Sequence, residues 1–206
     1  MRISSARTAK AGPDARFDQA YFTRFYRDPA TRVAAPRDYA RMARFVAAYL
    51  NLLELPVARI LDAGAGVGHF RSALRRLYPA ADYQGLDVSA YACRRYGWTE
   101  ASIASFDRGR FDLVICHDVL QYLNHREAAA ALLNLGRLCD GALYFMALTR
   151  EDWLLNCDQT RTDRAVRLRS ANWYLRRLAP SFRNLGGGLF LARRSPTLSY
   201  ALHASR

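Results

Sequence analysis

The sequence predicts an α/β fold: a seven-stranded, mostly parallel sheet with helices on both faces, a C-terminal antiparallel hairpin and an N-terminal helical lid. Three observations carry this expectation. Short apolar runs alternate with amphipathic stretches of helical period through the middle of the chain, the pattern of βαβ units. The stretch Ile60-Leu61-Asp62-Ala63-Gly64-Ala65-Gly66-Val67-Gly68-His69-Phe70 reads as a buried strand, a glycine turn and the start of a helix. Near the C-terminus, Phe182 to Leu185 and Leu189 to Arg193 flank Gly186-Gly187-Gly188, as a hairpin would.

Composition sets the outer limits. A chain of 206 residues with 51% hydrophobic content suits one globular domain. Residues 1–16 are polar and basic without an apolar core segment, so a disordered tail is expected there rather than a secretory signal. No apolar run is long enough to predict a membrane-spanning helix. The four cysteines, Cys93, Cys116, Cys139 and Cys157, form no Cys-x-x-Cys pair and read as reduced thiols of a cytoplasmic protein. Net charge is +13, and Lys10 is the one lysine among 31 basic residues. Arginine recognises carboxylates and phosphates bidentately, so an anionic or nucleic-acid partner enters consideration beside a solvated basic surface.

Taken in order, residues 17–35 hold an aromatic cluster (Phe17, Tyr21, Phe22, Phe25, Tyr26) on one face of a short helix that Asp28-Pro29 interrupts. Pro36 starts a second helix over 36–54, with Tyr39, Met42, Ala43, Val46, Tyr49, Leu50 and Leu53 on its apolar face. The opening strand and glycine turn follow, then a helix ended by Pro79 and a strand over Tyr83 to Leu86 that stops at Asp87. A helix over 89–96 closes at Gly97. Trp98 to Ile103 reads as a weak third strand and Phe111 to His117 as a fully buried fourth. Asn124 and Glu127 form a capping box for a helix reaching Leu138. Asp140-Gly141 reads as a turn before a fifth strand, Ala142 to Leu148. An arginine-rich segment over 149–169 leads to a helix ending at Pro180 and to the hairpin.

The turn Asp62-x-Gly64-x-Gly66-x-Gly68 departs from the dinucleotide fingerprint, because its third glycine falls one residue early. With Asp87 about 20 residues further on and the string Phe111 to Leu123, it resembles the class I, Rossmann-like S-adenosylmethionine (SAM) dependent methyltransferases. The specific resemblance covers residues 60–123. It implies one methyltransferase domain over 17–206, with 17–54 as an N-terminal helical cap and 149–177 as a substrate-side insertion. It also implies SAM as cofactor and S-adenosylhomocysteine (SAH) as product. Asp62, Ala63, Gly64, Gly66, Gly68, Asp87, Val88, Ser102, Ile103 and His117 would then line the cofactor pocket. The family pattern puts an acid at the end of the third strand, where Ser102-Ile103-Ala104 stands here.

Methyl transfer needs a positioned lone pair, and a general base only if the acceptor starts protonated. His117, at a strand end, is the candidate base. Tyr21, Tyr26, Trp153, Arg161 and Arg164 are the candidate acceptor contacts, the arginines for a carboxylate or phosphate on a small molecule. The basic charge keeps a nucleic-acid (RNA) methyltransferase as an alternative, though no Asn- or Asp-Pro-Pro-aromatic motif follows the fourth strand. A non-catalytic SAM-binding protein is the other alternative. No His/Cys cluster has metal-ligand spacing, so no metal is expected. The sequence leaves oligomeric state and acceptor atom open.

Overall fold

A computed structural model describes residues 16–203, so the expected tail, except Arg16, lies outside the described residues. Seven strands form one sheet in the order β3-β2-β1-β4-β5-β7-β6: β1 (Arg59–Ala63), β2 (Asp82–Asp87), β3 (Thr99–Glu100), β4 (Phe111–His117), β5 (Cys139–Met146), β6 (Phe182–Gly186) and β7 (Leu189–Ala192). β1 pairs in parallel with both β2 and β4, and β7 runs antiparallel to β5 and β6. Strand order therefore reverses between β1 and β4, and open α/β sheets bind ligands at the carboxyl ends of strands at that reversal.

Alternation along the strands divides the core in two. Leu61, Val114, Cys116, Leu143 and Phe145 point to one face and pack against α5 (His125–Leu138) and α7 (Ala171–Leu178). Ile60, Leu113, Ile115, Ala142 and Tyr144 point to the other, under α2 (Pro36–Leu52) and α3 (His69–Leu77). A third cluster lies above the glycine turn. There Tyr21 and Phe22 of the short α1 (Gln19–Phe22) meet Ala65, Trp98 and residues of α4 (Ala90–Tyr96). A π-helical turn, Thr23–Arg27, continues α1.

Local signals account for most boundaries. Pro36 opens α2, and Asn124 and Glu127 exchange backbone hydrogen bonds of 2.9 Å at the start of α5. Ser89 caps α4, which Gly97 ends in a left-handed conformation. Two expectations need correction. β3 spans two residues, not Trp98 to Ile103. Trp98 instead turns its ring under Gly85, and Ser102 to Phe106 form a turn in which the Ser102 carbonyl accepts from Ser105 and Phe106. Asp140-Gly141 is strand, not turn: β5 begins directly after α5, with a register irregularity opposite Phe111 and Leu113 that absorbs the tight entry.

Gly85 leaves no room for a side chain against Trp98. A Cβ there would stand 2.2 Å from the Trp98 Cε3. Gly85→Ala is expected to lower unfolding free energy by about 1–3 kcal/mol in urea denaturation, the cost of overpacking a filled core. Unchanged stability would contradict this packing.

Candidate functional site

The glycine turn leaves β1 at the sheet reversal. Gly64, Gly66 and Gly68 all have positive φ (83°, 51° and 78°), which a side chain would resist. Space matters too: a Cβ on Gly64 would stand 2.2 Å from Val119 Cγ2. The Gly64 and Ala65 amides both donate to the Leu86 carbonyl, at 2.7 and 2.9 Å, binding the turn to β2. Asp87 completes the link, accepting from the Gly66 amide and from the Ser89 amide at 2.8 Å each. Burial raises the Asp87 carboxyl above its usual range, and the amides of Ser89, Gly66 and Val88 pull against that rise.

Above this turn lies a cavity of about 430 Å³. Gly64, Gly66, Asp87, Val88, Ser102 and Ile103 form part of its wall. Phe17, Tyr21, Phe22 and Tyr26 roof it, and Asp118, Val119 and Tyr122 close the end beside β4. Tyr21 Oη donates to Tyr122 Oη at 2.9 Å, and the Ser89 hydroxyl donates to the Phe17 carbonyl, so the roof is tied to both sides. Arg16 carries the tie further through its ion pair with Asp163 in the 149–177 segment. A Cβ on Gly66 would project into the gap between turn and roof, 3.6 Å from Phe22 Cε1, so the missing side chain leaves room for a ligand.

Other expected residues lie outside that wall. Ala63 is buried in the core, and Gly68 caps α3 against Trp98. Asp62 is buried beneath the turn, where it accepts from the Tyr83 hydroxyl. Burial, aided by nearby Asp87, pushes the Asp62 carboxyl up to about 7 against the opposing effects of Tyr83 and His117. His117 sits among Tyr39, Phe70 and Tyr144 with its Nδ1 3.2 Å from Asp118 Oδ2. Burial would lower its pKa, but Asp118 and Asp62 together raise it.

A second chamber of about 260 Å³ shares Tyr26, Asp118 and Tyr122 with the first. Neither Trp153 nor the expected arginines line either chamber. Arg161 bonds the Arg32 carbonyl at 3.5 Å and lies 3.8 Å from Asp158, while Arg164 bonds the Gln159 carbonyl at 3.3 Å. Arg169 is buried, with its guanidinium on the carbonyls of Leu120 and Leu123, and so holds the loop after β4.

Sequence reasoning missed Glu100, Asp118 and Tyr122. Glu100 ends β3, lines the first cavity and pairs in register with Asp87. It is the strand-end acid expected at 102–104, displaced because the strand is shorter. The Ala104 amide bonds Ser102 Oγ at 3.2 Å and closes that turn. Asp118 has a left-handed backbone (φ 58°) at the boundary of both chambers, which turns its carboxylate toward them.

Comparison with known proteins adds to this geometry. A family model described as a methyltransferase domain matches residues 33–187. A malonyl-[acyl-carrier protein] O-methyltransferase from Legionella pneumophila is 31% identical over 111 residues, covering 48% of this chain and 39% of that protein. The chain thus spans about two-fifths of the length of this curated relative. Among solved structures, magnesium protoporphyrin IX methyltransferase from Synechocystis with bound SAM superposes with a TM-score of 0.60 at 20% identity, covering 88% of this chain and 95% of that one. DesVI of Streptomyces venezuelae superposes with a TM-score of 0.57 at 17% identity, covering 75% and 91%. These likenesses show the fold.

The raised Asp62 carboxyl has a measurable consequence. Unfolded, an aspartate titrates near its ordinary value; folded, Asp62 titrates near 7. Wild-type stability from this group is therefore greatest at low pH and is lost as pH rises through the folded value, on the order of 4 kcal/mol in all. Asp62→Asn removes that loss while its carbonyl can still accept from Tyr83. Its stability relative to wild type is expected to climb between about pH 4 and 7 and then level off. An equal difference at both ends of that range would refute the shift.

Proposed function

The chain belongs to the methyltransferase-domain family, and from that premise we propose that it is an enzyme moving a methyl group from SAM to a small-molecule acceptor. The observation that carries this reading is the cavity between the glycine turn and the aromatic roof. Its wall suits SAM in chemistry and order. Asp87 and Glu100, side by side at two strand ends, offer carboxylates to ribose hydroxyls and an adenine amine. Val88 and Ile103 give an apolar surface for the adenine ring, with Ser102 at its edge. Gly64 and Gly66 leave room beside the backbone, and Asp62 holds the strand end beneath them through Tyr83. Tyr21, Phe22 and Tyr26 present aromatic faces to a sulfonium cation.

Bound there, SAM supplies a methyl group activated by a positively charged sulfur. The chain's own residues supply position and dryness. The roof excludes water, and the shared wall of Tyr26, Asp118 and Tyr122 stands where the second chamber meets the first. His117 reaches that wall through Asp118, so a proton released at the boundary passes to the His117–Asp118 pair. The second chamber takes the acceptor. Its volume, about 260 Å³, favours a small molecule or one exposed group over a polynucleotide surface.

Two experiments check this. Asp87→Ala is expected to weaken SAH binding at least tenfold by calorimetry, matching roughly 1.5–3 kcal/mol for hydrogen bonds to a charged group. Wild-type affinity would remove Asp87 from the cofactor site. Incubation with tritiated SAM and cell extract is expected to label the low-mass fraction. Label confined to RNA would instead indicate a nucleic-acid acceptor, and SAM binding without any transfer a non-catalytic role.

A further inference from the structure

We propose that the second chamber selects a cationic acceptor: an amine that enters as its ammonium form beside an apolar or aromatic body. The inference rests on the methyltransferase reading and narrows its substrate class. The chamber wall carries Asp118, Asp152, Asp158 and Asp163, and among the described residues no arginine, lysine or histidine lines it. Two of these acids are already compensated, Asp163 by Arg16 and Asp158 by Arg161. Asp152 has no cation within ion-pair distance among the described residues. Its oxygens take the Thr149 hydroxyl at 2.5 Å and the Asn156 amide at 3.0 Å, which hold it ionised. Among the described residues, Asp118 forms one ion pair, with His117.

Gln121 supplies the independent observation. It is 3% exposed and lines the chamber; its Nε2 donates to Asp118 at 3.3 Å, and its buried Oε1 meets no donor. Reversing the amide would set oxygen against carboxylate, so the orientation is fixed and the carbonyl calls for an N–H or O–H from a ligand. Phe25, Tyr26, Tyr39 and Tyr122 also line the chamber; aromatic rings attract cations and give an apolar body contact area. The four carboxylates and the Gln121 carbonyl accept hydrogen bonds and favour positive charge, and a carboxylate ligand would meet like charge there.

For the nitrogen to react, an N–H bond breaks with its electron pair left on nitrogen, and the proton passes to Asp118 and His117. That pair then forms the N–C bond while the donor's C–S bond breaks with its electrons remaining on sulfur.

Phenethylamine and 3-phenylpropionate are matched probes: similar bodies, opposite charges. Calorimetry first establishes SAH binding to the full chain; no SAH binding defeats the methyltransferase reading itself. With SAH saturating, phenethylamine is expected to bind at least tenfold more tightly than 3-phenylpropionate. Asp152→Asn should erase most of that preference, and Gln121→Met should weaken the amine several-fold, both with SAH affinity unchanged. SAH binding accompanied by equal probe affinities, a tighter carboxylate or no measurable amine binding overturns the proposal, as does an undiminished preference in Asp152→Asn.

Discussion

The Asp87 carboxylate is the tie on which the site depends. One oxygen holds the Gly66 amide and the other the Ser89 amide, so a single buried group fixes the glycine turn and the entry to α4 against the end of β2. Such an anion is costly to bury without donors, and of the residues whose amides stabilise it, Gly66 and Val88 line the cavity. The left-handed glycines make this geometry reachable; the Leu86 carbonyl, accepting from Gly64 and Ala65, makes it stay.

Around that fixed floor the molecule builds a roof from segments far apart in sequence. The aromatic N-terminal helix reaches α4 through Phe17 and Ser89, the loop after β4 through Tyr21 and Tyr122, and the 149–177 segment through Arg16 and Asp163. Arg169 then fastens that loop from below. Floor and roof thus come from different segments and meet through these side-chain ties, outside the backbone pairing of the sheet. Under the proposed reading, such a roof suits a site whose ligands enter and leave while the sheet stays intact.

The legible part of the fold was the local part. The glycine turn, the Asn124–Glu127 box, Pro36 and Gly97 each act within a few residues of themselves, so spacing alone reveals them. Asp87 was readable because the distance from turn to acid is set by one helix and two loops. Glu100 was hidden by a strand boundary: the tertiary need to place Trp98 under Gly85 and the turn after Ser102 shortened β3, and no propensity reports that. Asp118 and Tyr122 were hidden differently. Their roles depend on a left-handed backbone at one and on a partner 101 residues away at the other. Arginines clustered in sequence suggested an anion site, yet in space Arg161, Arg164 and Arg169 turn to carbonyls and to Asp158, and aspartates face the chamber.

The most direct test is a crystal structure of the full chain grown with SAH. The account predicts the ribose at Asp87, the adenine between Val88 and Ile103 with its amine toward Glu100, and the sulfur beneath Tyr21 and Tyr26, near the wall shared with the second chamber. SAH bound elsewhere on the sheet, or seated with its adenine in the aspartate-lined chamber, would contradict it.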